Sequence, residues 1–157
     1  MTAKIVELAD AVTAALAEAE FSVEFVPERS YADWTMQLED TDALHVDVVI
    51  VGHEASELDD RGDIAYVDAI DIGVRYKFGP EAREPDGRLR NADVDGLVAL
   101  VEEIHESLAA ERLDQFEDAI WRDASIRATY VRQHLREWGQ FTAILRISFD
   151  LLAELTE

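Results

Sequence analysis

Cysteine is absent from the 157 residues, and the 14 basic side chains are all arginine except Lys4 and Lys77. Without a thiol there can be no disulfide framework, thiolate nucleophile, zinc ribbon or iron–sulfur centre. Any metal would need oxygen or imidazole ligands. No stretch approaches the roughly 18–20 uninterrupted apolar residues of a membrane span. The N-terminal segment carries Glu7 and Asp10 where a secretory leader would be apolar, so the protein is expected to be made and kept inside a cell, or inside something assembled there. Nucleotide and hydrolase signatures are missing too: there is no GxGxxG, no GxxxxGK[ST] and no GxSxG, and His53-Glu54 is followed by Ala-Ser-Glu rather than completing HExxH. These absences together turn the reading away from the common enzyme classes. No repeat and no low-complexity linker divides the chain, so residues 1–157 read as one domain.

What is present in excess is negative charge, with 35 acidic side chains and a net charge of −21. Because 48% of the residues are hydrophobic, this is a folded chain and not an acidic tail. Such a surface repels nucleic-acid phosphates and anionic lipid, which argues against a DNA-binding or membrane-binding protein. Many carboxylates with almost no lysine suit concentrated salt, where a Debye length of about 3 Å at 1 M removes self-repulsion. A halophilic host accounts for that composition, and so does a genome that prefers arginine codons.

Hydrophobic spacing sets the elements. Ile5, Leu8, Ala9, Val12, Leu16 and Ala19 recur at helical intervals behind a possible Thr2 cap. Phe21, Val23 and Phe25 alternate with Ser22 and Glu24, predicting a strand stopped by Pro27. Residues 44–51 are β-branched and end at Gly52, predicting a buried strand, after which an acidic loop runs to Ile64. From Ile70 to Phe78 the alternation is strict, with Asp71, Gly73, Arg75 and Lys77 on the wet face. After a Pro/Gly loop at 79–90, Asn91 or Asp93 caps a second helix. Its stripe is Val94, Leu97, Val98, Val101, Ile104 and Leu108, and it ends near Arg112. Leu113, Phe116 and Ile120 either continue a helical period or lead into an extended piece at Ile120-Trp121. Phe141 to Leu151 alternates as a last strand. Two helices packed on one face of a mostly antiparallel sheet satisfy this order, which makes an α+β two-layer domain.

Candidate chemistry is sparse. With so many acids, carboxylate pairs carry no information about acid–base catalysis. The run Asp59-Asp60-Arg61-Gly62-Asp63 lacks the alternate-position acids and the closing Glu of a calcium loop. His45, His53, His105 and His134 show no metal-ligand pairing. Trp34, Trp121 and Trp138 suit core or interface packing. No catalytic, cofactor or metal site is therefore assigned. One segment departs from the average: Arg122, Arg127, Arg132, Arg136 and Arg146 face only Asp123 and Glu137, a local charge of +3 in a chain of −21. That segregation suits a subunit interface in which the basic segment of one copy lies on the acidic surface of the next, or equally local ion pairs within the fold, with a nucleic-acid contact a distant third.

The same segment, from Ile120-Trp121 through Tyr130, His134-Leu135-Arg136-Glu137 and Phe141-Thr142 into the final strand, resembles the C-terminal part of tail terminator (tail completion) proteins of long-tailed phages. The rest of the chain is similar in element order. The resemblance implies a structural virion protein of the tail or neck, assembled in the host cytoplasm. It implies a homohexameric ring that caps the tail tube, ends tube polymerisation and presents a surface to the head-side connector. The partners it implies are a second copy of the chain, the major tail tube protein and the connector or head-closure protein, with genomic DNA passing through the lumen unbound. Other classes that fit the sequence are another neck or head-closure component and a cytoplasmic small-molecule-binding domain.

Overall fold

The computed structural model describes residues 3–55, 65–110 and 119–152. Its elements are α1 (Lys4–Glu18), β1 (Pro27–Ser30), β2 (Leu44–Ala55), β3 (Ala65–Lys77), a 3-10 turn (Pro80–Ala82), α2 (Asn91–Ala110), β4 (Ala119–Ala128), α3 (Arg132–Trp138) and β5 (Gln140–Leu152). The five strands make one mixed sheet in the order β1-β2-β3-β5-β4, parallel only between β1 and β2, so the class is α+β.

Strand alternation builds the core. Ile70, Ile72 and Val74 of β3 stand in register with Ile50, Val48 and Val46 of β2 and with Ile147, Leu145 and Ala143 of β5. Leu8, Val12 and Leu16 of α1 and Leu97, Leu100, Val101 and Ile104 of α2 close the same apolar cluster. Each such side chain taken fully out of water contributes roughly 1.5–3 kcal/mol. Helix α1 contacts β1 and β2, and α2 contacts β4 and β5.

Several boundaries differ from the sequence expectation. Pro27 starts β1 instead of ending a strand over 21–26. A proline has no N–H for a ladder but is tolerated at the first residue of an edge strand, which β1 is. Phe21, Val23 and Phe25 are half-buried against the core, with Phe21 and Phe25 stacked at 5.3 Å, so one-sided burial produced their alternation without strand pairing. Strand β2 does not stop at Gly52 but continues to Ala55 through a bulge between Ile50 and Gly52, and β3 begins at Ala65, ahead of Ile70. Helix α2 takes Asn91 as its first helical residue. Ile120-Trp121 belongs to the extended alternative, as part of β4, which runs over ten residues and not as a short piece.

The third helix, α3, is the main departure from a two-helix layout. Two turns bearing Arg132, Gln133, Arg136 and Glu137 are too short and polar to show a stripe. Its stop signal, Gly139 in the left-handed region (φ 61°), is where such a cap needs glycine. Ala3 occupies the N-cap of α1 without a side-chain bond. Thr2, the Asp59–Asp63 run, Arg112, Leu113, Phe116 and the Trp121 side chain lie outside the described residues.

Candidate functional site

The second set of strand side chains points away from the apolar core and, apart from Val49 and Ile144, is mostly polar. Asp47 of β2, Asp71, Gly73 and Arg75 of β3, and Gln140, Thr142 and Arg146 of β5 share it through the register. Arg75 Nη2 donates to Asp47 Oδ2 at 3.0 Å, with both side chains about a tenth exposed. Asp47 also accepts from Ser30 Oγ on β1 at 3.0 Å. Arg146 donates through Nε and Nη2 to both oxygens of Asp71, at 2.8 and 3.2 Å, and that carboxylate raises the Arg146 pKa further.

The segment between β1 and β2 lies over this polar set. The Trp34 indole covers Gly73 so closely that a Cβ there would sit 2.2 Å from its Cη2 and Cζ3, and the Arg75 guanidinium lies 5.2 Å from a Trp34 ring centroid. Leu38 N–H donates to Gln140 Oε1 at 2.8 Å, and Gln140 Nε2 donates to Thr142 Oγ1 at 3.0 Å. The same oxygen is hydrogen-bonded to His134 Nδ1, 2.9 Å away. His134 stacks on Trp138 at 4.2 Å. A polar chain thus pins the covering segment to β5 and β5 to α3.

Burial holds the His134 pKa below the ordinary 6.5, against a smaller opposing pull from Glu137. Above the ordinary value folded and unfolded forms are both neutral. As pH falls below it the unfolded chain takes a proton that the folded chain refuses, so this group's stabilisation is lost on acidification. Urea unfolding between about pH 7.5 and pH 5 is expected to show the wild type losing stability relative to His134→Gln, the comparison cancelling the carboxylates common to both. Parallel curves would refute the buried neutral imidazole.

The five arginines of the basic segment do not form one cluster. Arg146 is committed to Asp71, and Arg122 lies 3.3 Å from Asp150 at the surface. Arg127 at the end of β4 and Arg132 and Arg136 on α3 are exposed and, among the described residues, make no ion pair. They share the corner where edge strand β4 turns into α3, with Tyr130, itself 40% exposed, between them.

The other edge has the opposite character. Exposed Glu24 lies just ahead of β1 and exposed Glu28 on it, Arg29 is taken by Asp10 at 2.7 Å, and exposed Glu20 begins the segment that Ser22 ties to Glu103 of α2. Val26 and Tyr31, flanking β1, are 79% and 72% exposed. The register sets both edges at one level: Pro27, Val46, Val74 and Ala143 form one row, and Ala128 pairs with the next residue, Ile144.

Elsewhere, Asp68 is buried on β3, bonded through Oδ1 to His53 Nδ1, and burial raises its pKa. His53 stacks on Tyr66 at 4.3 Å. His45 bonds Asp40 and His105 bonds the Ala124 carbonyl. Among the described residues no three His, Asp or Glu side chains converge as metal ligands, and no helix is long and apolar enough to cross a membrane. Sequence reasoning missed Trp34, Gln140 and Thr142 as a connected unit. The available signal was Gly73, a glycine inside a strictly alternating strand, which marks a close approach by another group. Compared with known proteins, the chain matches no family model and no curated protein, so the functional reading rests on these residues and this fold.

Proposed function

We propose that this protein is a structural, non-catalytic ring subunit of the tail-terminator kind, one that caps a tail tube, ends its polymerisation and joins the tail to a head-side connector. The observation that carries the reading is the placement of unlike surfaces at the two edges of one sheet: an arginine-bearing β4–α3 corner and an acidic, partly apolar β1 edge. Different patches that complement one another make a heterologous contact, which propagates head-to-tail and closes into a ring when there is no rise per step. The common level of Pro27 and Ala128 supports a contact without rise along the strands.

The same reading takes residues 1–157 as one domain and α1 and α2 as one layer over one face of the sheet, leaving the polar face, its covering segment and α3 to hold the basic corner in place. The segment that resembles tail terminators spans β4, α3 and β5. A net charge of −21 suits a lumen through which DNA slides unbound. No cofactor enters the reading.

The test is the mass of the protein in solution, by light scattering at low and molar salt, alone and with tail tube protein. A hexamer, or a monomer converted to one by tube protein, is expected. A salt-indifferent monomer that ignores tube protein sinks the reading, and capture by the connector alone moves it to a head-closure component. Within the assembly, Arg132→Glu with Arg136→Glu is expected to weaken association at least tenfold, about 1.4 kcal/mol. The same reversal at Arg88 and Arg90 is expected to leave it unchanged, since those two are engaged locally by Asp86 and Asp93. Equal effects in sedimentation would deny the β4–α3 corner its role.

A further inference from the structure

We propose that the groove between the end of α1 and the strand-leading segment 20–26 is the seat for the β4–α3 corner of a second copy of this chain. This rests on the ring reading and deepens it by naming the two surfaces that meet. The groove is open and holds about 600 Å³; Leu16, Phe21, Phe25 and Val26 line it together with Glu20 and Glu24. Val26, at 79% exposed, is a large apolar side chain left in water beside two acids.

The corner is complementary in both respects. Tyr130 offers an amphipathic ring between Arg127 and Arg132, the pairing of residue types that anchors protein interfaces. Its guanidinium groups have no intramolecular acid among the described residues, and the groove's acids make no ion pair there either. The segment lining the groove runs from Ser22, which is bonded to Glu103 of α2, to Val26 beside Pro27 at one edge. The corner adjoins Ala128 at the other edge at the same level, so each copy presents both halves of the contact. A second copy is therefore an occupant that brings the required charge, the required aromatic and the required position together.

Charge exchange tests this directly. Glu20→Arg with Glu24→Arg gives a copy with a basic groove and a basic corner, and Arg127→Glu with Arg132→Glu gives one with both acidic. All four positions are exposed, so far-UV circular dichroism should match the wild type. Under conditions where the wild type assembles, each variant alone is expected to associate at least tenfold more weakly, while an equimolar mixture recovers assembly by alternation. Val26→Asp should weaken assembly without altering the fold. Variants that assemble alone as well as the wild type, or a mixture that stays apart, overturn the groove as the seat while leaving the ring reading in place. A wild type that never assembles, with or without tube protein, removes both.

Discussion

Arg75→Met is expected to lower the unfolding free energy by about 3–4 kcal/mol, because it leaves a buried carboxylate without its counter-charge. Asp47 is 6% exposed and takes its guanidinium partner from the neighbouring strand, and the remaining bond it accepts, from Ser30, is neutral and cannot offset the charge. The Arg75 charge also acts on Asp33 and Asp40. Their pKa values are held low mainly by Thr35 and His45, with Arg75 a lesser contributor to each. Removing the arginine therefore leaves Asp47 buried without its counter-charge and takes a lesser favourable influence from the surface carboxylates Asp33 and Asp40. The double variant Asp47→Leu with Arg75→Met removes both buried charges, and most of the loss is expected to return, since a well-packed apolar pair is often as stable as a buried ion pair. Urea unfolding of the two variants beside the wild type measures this. A loss below about 1 kcal/mol for Arg75→Met would show that water reaches Asp47 and that the pair behaves as a surface one.

The helices α1 and α2 and the strands β2, β3 and β5 were legible because each carries a long apolar period, and burial of that period is what forms the element. The errors fell where a local rule competed with the sheet. Phe21 to Phe25 alternate because one side is buried, and among the described residues no strand pairs with them. Gly52 looked like an end, but a bulge absorbs it and carries β2 on to Ala55. Helix α3 has seven residues and is held by the bond between Thr142 and His134, a contact between groups eight residues apart that no helical period displays. The basic segment was legible as charge, but its division was not. Asp71, which occupies Arg146, lies 75 residues away in sequence, and only the pairing of β3 with β5 brings the two together.

Gly73→Ala is expected to destabilise the protein by about 2–3 kcal/mol, although alanine in a strand ordinarily gains a few tenths of a kcal/mol or more over glycine. The added methyl would lie 2.2 Å from the Trp34 ring, and a rigid indole can clear it only by leaving the sheet. That displacement uncovers Arg75, whose guanidinium lies by the ring, and pulls on the segment tied to Gln140 by the Leu38 amide. Intrinsic fluorescence should shift to the red as the indole becomes wetter. The decisive comparison is a double-mutant cycle: in a Trp34→Ala background the clashing ring is gone and the same Gly73→Ala change should be neutral or mildly stabilising, giving a coupling of about 2–3 kcal/mol. Because Gln140 continues through Thr142 to His134 on α3, the loosened segment should also free the helix that presents Arg132 and Arg136. Assembly of Gly73→Ala is thus expected to be weaker than that of a core variant of comparable instability, such as Ile104→Ala at the buried face of α2. Equal assembly at equal stability would confine Trp34 to covering the sheet and leave the basic corner independent of it.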